Sequence, residues 1–183
     1  MNMGDAGQTA EAAEQRLRLA RWSCTTGSNV QSRGVVVLES GDHRWEATAE
    51  GNGAVDALFG AVDQALSGVL TGHPRLIAYD VHALAEGPDA EGRVTVRLAP
   101  PADAAGARAH GSYEGSSQSP NIIAASVEAY IEAINDLLTE DHWAGATDAA
   151  GNRARTAVEP ADAAASEFDE EAARHDTTAW FER

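Results

Sequence analysis

Lysine is absent from this chain: all 13 basic residues are arginine, against 29 acidic ones, giving a net charge of −16. Such a chain has nothing to neutralise a run of phosphates, which excludes a nucleic-acid partner. Cysteine occurs once, as Cys24, so there is neither a disulfide framework nor a thiolate metal site. The six histidines are scattered without metal-ligand spacing, and no metal or other cofactor is expected. No run approaches the roughly 20 apolar residues that span a bilayer. The stretch Met1–Glu14 lacks an apolar signal core, so the expectation is a cytoplasmic protein without a membrane partner. Ser116, Ser117 and Ser119 have no histidine base beside them, and no acid–base pair assembles elsewhere, so no catalytic residue is assigned.

What the chain does contain is organised around Gly51-Asn52-Gly53-Ala54-Val55-Asp56, which opens a helix expected to run to about Ser67. Two glycines permit a tight turn and close backbone approach. The first helical turn presents free N–H groups and the positive end of the helix dipole, which suits a carboxylate or phosphate. Before it, Leu17–Cys24, Gly34–Glu39 and His43–Glu50 read as three strands, the last two joined by a turn at Ser40-Gly41-Asp42. Val55, Leu58, Phe59, Val62 and Leu66 recur at helical spacing on one face.

The same order then returns. Arg75–Leu84 and Arg93–Leu98 read as strands, Arg108–Glu114 as a weaker one, and Ile122–Leu138 as a helix. Gly115 follows Gly51 by 64 positions, and the same shift sets Ser117 on Gly53. The fold class expected is α+β, a duplicated βββα unit over residues 16–72 and 73–140, packed as a pseudo-two-fold domain. Residues 1–15 are expected to form a flexible lead-in. Residues 141–183, acidic and alanine-rich, are expected to be disordered, with Trp143 a last anchor and Trp180-Phe181 an aromatic pair of no assigned role.

Two runs are specific enough to resemble a family. Gly51-Asn52-Gly53-Ala54-Val55-Asp56-Ala57, followed by Tyr79-Asp80-Val81-His82-Ala83-Leu84, is similar to the C-terminal regulatory domain of 2-isopropylmalate synthase. Citramalate and homocitrate synthases carry the same kind of domain. The later Gly115-x-Ser117 and Asn121-Ile122-Ile123-x-Ala125-Ser126 resemble the start of that domain's final helix. The resemblance implies a homodimer that binds leucine, or a related branched-chain amino acid, as a feedback inhibitor. Carried over residue by residue, it implies a ligand loop of Gly51, Asn52, Gly53, Val55 and Asp56. Leu76, Tyr79, Ala83 and Ala90 would form a strand-side wall, and Gly115, Ser117, Asn121 and Ile122 the second helix start.

The family's catalytic barrel and its His-x-His metal pair have no counterpart here, and the usual second glycine is Ser117. A non-catalytic regulatory module is therefore expected, acting on a separate synthase. The alternative is a dimerisation or docking scaffold that binds no ligand. One methylene distinguishes leucine from valine by only about 1–3 kcal/mol, so the pocket residues do not name the ligand.

Overall fold

The computed structural model describes residues 16–70, 72–87, 90–102, 111–140, 143 and 146–150. The lead-in, most of the acidic tail, and Arg108–His110 of the third expected strand lie outside these residues. Strands β1 (Arg18–Thr25), β2 (Ser32–Ser40) and β3 (His43–Gly51) form one antiparallel sheet, and helix α1 (Ala54–Ala65) follows. Strands β4 (Arg75–Ala83), β5 (Gly92–Ala99) and β6 (Tyr113–Ser119) form the second sheet, followed by α2 (Ile122–Leu138) and a short α3 (Ala146–Ala149). The expected α+β fold of two βββα units is the fold observed.

Alternation sets the faces. Val94, Val96 and Leu98 of β5 are fully buried while Arg93 and Arg97 between them are exposed, a strand with one solvated side. Each helix lies on its own sheet, α1 on β2 and β3, α2 on β5 and β6. The units meet helix to helix, where Phe59 of α1 stacks on Tyr130 of α2 with ring centroids 4.2 Å apart. The Tyr130 hydroxyl donates to Asp63 across the same junction at 2.6 Å. Trp143 is buried and joins the single core, as expected of an anchor.

The repeat is better defined by register than by residue identity. The inner row Leu19, Leu38, Trp45 of the first sheet is matched by Leu76, Leu98, Tyr113 of the second. Both first strands carry a bulge at the same point, between Leu19 and Arg21 and between Leu76 and Ala78. Gly51 pairs with Ser32 at one strand end, and Ser119 pairs with Gly92 at the equivalent end of the other unit.

This corrects the 64-position alignment. Gly51 corresponds to Ser119 and Gly53 to Asn121, 68 positions apart, and Gly115 instead matches Ala47. The error is four residues, close to one 3.6-residue turn, so the helical apolar faces remain superposed under either alignment. The third strand of the second unit is corrected too: it runs Tyr113–Ser119, so only Tyr113 and Glu114 of the expected strand belong to it.

Candidate ligand site

The ligand loop sits where β3 hands over to α1. Gly51 is buried at the strand's end, and a Cβ there would stand 2.5 Å from the Ala57 nitrogen. Its glycine is required by the helix packing onto it. Gly53, in contrast, is the N-cap of α1 in an extended conformation, and a Cβ added there would meet nothing within 4 Å. It provides no side-chain acceptor, so the first-turn N–H groups receive no side-chain cap. Asp56 stands in that turn and accepts from the Asn52 N–H at 2.9 Å, which closes the loop; Val55 beside it is half-buried.

The second helix start differs. Asn121 is the N-cap of α2, and its Oδ1 accepts from the N–H groups of Ile123 and Ala124 at 3.1 and 3.3 Å. That pole is therefore satisfied from within the chain. Gly115 and Ser117 are not at this start at all; both lie within β6. A Cβ on Gly115 would meet the Ala129 carbonyl oxygen, and Ser117 donates to Glu128 at 2.6 Å, so both serve the packing of the helix body onto β6. The placement of Gly115 and Ser117 at the second helix start is corrected on this ground.

Leu76, Tyr79 and Ala83 share the inner face of β4, because their cross-strand neighbours Leu98, Val96 and Gly92 lie along the inner face of β5. Ala90 lies outside the strand, in the connection to β5, and donates its N–H to Gly87 at 3.3 Å. The Tyr79 ring meets Phe59 edge-on at 6.2 Å, and its hydroxyl lies 2.7 Å from Ser126. Ser126 already donates to the Ile122 carbonyl at 2.6 Å, so Tyr79 is the donor to Ser126. Ile122 in turn covers Gly92, the pairing partner of Ala83.

Tyr79 therefore links three elements: α1 through Phe59, one turn beyond Val55; α2 through Ser126; and its own strand. Of the thirteen sequence-chosen residues, Tyr79 is joined to Ile122 through Ser126, and Ile122 reaches Ala83 through Gly92. An open cleft of about 430 Å³ elsewhere, between β3 and the later part of α1, is lined by Glu46, Thr48 and Gln64 and contains none of them.

Titration is perturbed beside this cluster. Burial holds the Tyr130 hydroxyl above its usual range, reinforced by the Asp63 charge, so it stays a neutral donor. Burial also raises Asp63, opposed by its hydrogen bond from Tyr130 and by His73. Burial pushes the Cys24 thiol up, which disfavours a nucleophilic thiolate. His82 and Asp80 are exposed on β4, and Asp89 lies outside the described residues. Among the described residues, no group of His, Cys, Asp and Glu could hold a metal, and no helix is long and apolar enough to cross a membrane.

A family described as the LeuA allosteric (dimerisation) domain matches residues 6–138. The chain belongs to this family.

The LeuA-type domain here is similar to the 2-isopropylmalate synthase of Polynucleobacter necessarius, 33% identical over 135 residues, 74% of this chain and 24% of that protein. It is likewise similar to that of Aromatoleum aromaticum, 35% identical over 135 residues with coverage of 74% and 24%. The synthase of Methylobacterium nodulans is 32% identical over 126 residues, 69% of this chain and 22% of that protein. The chain thus spans about a quarter of the length of the curated relatives it matches. As a LeuA-type domain it is an allosteric and dimerisation domain, and the family supports homodimer formation.

Two residues of the Tyr79 cluster are not among those chosen from the sequence. Phe59 was legible only as a core position of its helix, although it lies one turn from Val55. Ser126 is a fully buried hydroxyl on an apolar face, and that mismatch was the available signal.

Proposed function

We propose that this LeuA-type domain binds leucine or a related branched-chain amino acid, and in doing so feedback-regulates a synthase carried on a separate chain in the cytoplasm. The observation that carries the reading is the N-terminus of α1 at Gly53, which has no side-chain cap and opens less than two helical turns before Phe59, the residue whose ring Tyr79 meets edge-on. The first-turn N–H groups would donate to the amino acid's carboxylate. Asp56, which accepts one hydrogen bond and retains further lone pairs, would take the ammonium group. Val55, Leu76, Tyr79, Ala83 and Ile122 would surround the branched side chain, with Asn52 and Ala90 at the rim.

The domain would itself perform no chemistry. Its effect on the synthase would be a coupling free energy, typically about 1–3 kcal/mol. Calorimetric titration with leucine, isoleucine, valine and lysine tests the reading, and binding of at least one branched-chain member is the expected result. No heat with any of the four overturns it. The engagement of Asp56 by Asn52 favours, in that event, a scaffold that only dimerises or docks a partner.

A further inference from the structure

Six large apolar side chains are exposed among the described residues, and five of them lie on or just after one strand: Leu76, Ile77, Tyr79, Val81 and Leu84. Their position in the sheet makes this unusual. Leu76, Tyr79 and Val81 pair across with Leu98, Val96 and Val94, all fully buried, so they belong to the same inner face. Helix α2 covers that face over β5 and β6 and touches β4 chiefly through the Ser126–Tyr79 hydrogen bond.

The first unit does not leave this gap. Leu19, Trp22 and Cys24, the counterparts of Leu76, Tyr79 and Val81, are partly buried against the core. There α2 reaches across to β1, and Asn135 holds both backbone groups of Leu17 at 2.8 Å. The symmetry-related pair is Ser67, after the helix of the first unit, and Pro74, ahead of β4 in the second. Proline has no N–H to offer, so this clamp cannot form on β4.

We infer that the uncovered inner face of β4 is where a second copy of this chain docks, stripe against stripe across a two-fold axis. The family's dimerisation role requires such a surface, and the inference rests on the homodimer reading. Large side chains present about 150–250 Å² each, so Leu76, Tyr79 and Val81 at 37–51% exposure leave on the order of 250 Å² of apolar surface on this face per copy. Doubled, that is roughly a third of a standard interface of about 1,600 Å², before the polar rim and the edge-strand backbone are added. Two-fold pairing is also consistent with charge. Exposed Arg75 and Glu86 stand at opposite ends of the stripe, so an axis through its middle sets each near the other of the second copy. β4 is an edge strand as well, with a free row of backbone groups available to the interface. Tyr79 and Leu76 are thus shared between the interface and the proposed ligand wall, and the second copy would close that wall.

Sedimentation equilibrium of the wild-type chain beside Val81→Glu and the control Val30→Glu tests the inference. Val81 is 45% exposed and Val30 60%, so neither charge needs to enter the core. The wild type and Val30→Glu should dimerise, and Val81→Glu should weaken the dimer by about a hundredfold, as an unpaired charge in an interface does. If all three dimerise equally, this face is not the interface, although the homodimer stands. If the wild type is monomeric at every concentration, the homodimer reading itself falls, and this inference with it. Hydrogen exchange on the unmodified protein supplies an independent readout. Amides of residues 75–84 should gain protection as concentration rises, and protection gained only elsewhere overturns the assignment.

Discussion

Asn135 grips Leu17 by both ends of its backbone: Oδ1 accepts from the Leu17 N–H and Nδ2 donates to its carbonyl, each at 2.8 Å. The two residues are 118 positions apart, and both are buried. One amide side chain thus fastens the first strand of the first unit to the last helix of the second. Arg16, just before it, pairs with Glu132 one turn earlier on α2.

Asn135→Ala should therefore be costly. It leaves a buried N–H and a buried carbonyl without partners, each carrying a penalty of about 1–3 kcal/mol. Urea denaturation should report a fall in the midpoint with little change in slope. Asn135→Asp keeps an acceptor for the Leu17 N–H and, protonated at low pH, offers an O–H donor as well. Under those conditions it should fall between the wild type and the alanine variant.

The glycines should separate into two classes. Gly51→Ala and Gly115→Ala force a Cβ to 2.5 Å from the Ala57 nitrogen and closer still to the Ala129 oxygen, both backbone atoms. Overpacking of this kind costs about 1–3 kcal/mol, occasionally more. Gly53→Asn meets open space and installs on α1 the cap that Asn121 already gives α2. Thermal unfolding should show it neutral or stabilising by a few tenths of a kcal/mol. Calorimetry should show weakened amino-acid binding, because the new side chain occupies the N–H groups the carboxylate would use.

Stability should depend on pH through Asp63. Burial raises its folded pKa above 3.8, so between that value and the folded one the native state holds more protons than the unfolded state. The contribution is greatest below pH 3.8 and is lost as pH rises through the folded pKa. Asp63→Asn keeps an acceptor for Tyr130 and removes the buried charge. Urea midpoints across this range should flatten in that variant and exceed those of the wild type at neutral pH.

Salt should tighten the dimer. Two chains each bearing −16 repel, and mobile ions screen that repulsion. Sedimentation equilibrium at increasing sodium chloride should give a falling dissociation constant, and an apolar stripe would not reverse the trend.

The order of elements was legible because β-branched runs, helical periodicity and turn residues agree in each unit. The internal alignment was less so. A four-residue slip leaves apolar helix faces in place, and Gly115-x-Ser117 imitates Gly51-x-Gly53 closely enough to attract the wrong match. The strand Tyr113–Ser119 was missed over most of its length because Glu-Gly-Ser-Ser-Gln-Ser has little intrinsic strand preference. Pairing with β5 and the close seat of α2 on Gly115 impose it. In the cluster around Ser126, Tyr79 and Ile122 stand out from motifs alone. Their link through Ser126, and the contact of Tyr79 with Phe59, depend on tertiary contacts between elements far apart in sequence.

The difference between the two N-caps has a numerical consequence. A duplicated architecture suggests two equivalent ligand positions per chain, related by the internal symmetry. Asn121 occupies one of these helix ends with its own side chain, while Gly53 leaves the other free. On the proposed amino-acid reading, a titration should therefore end at one ligand per chain, two per dimer, and never at four.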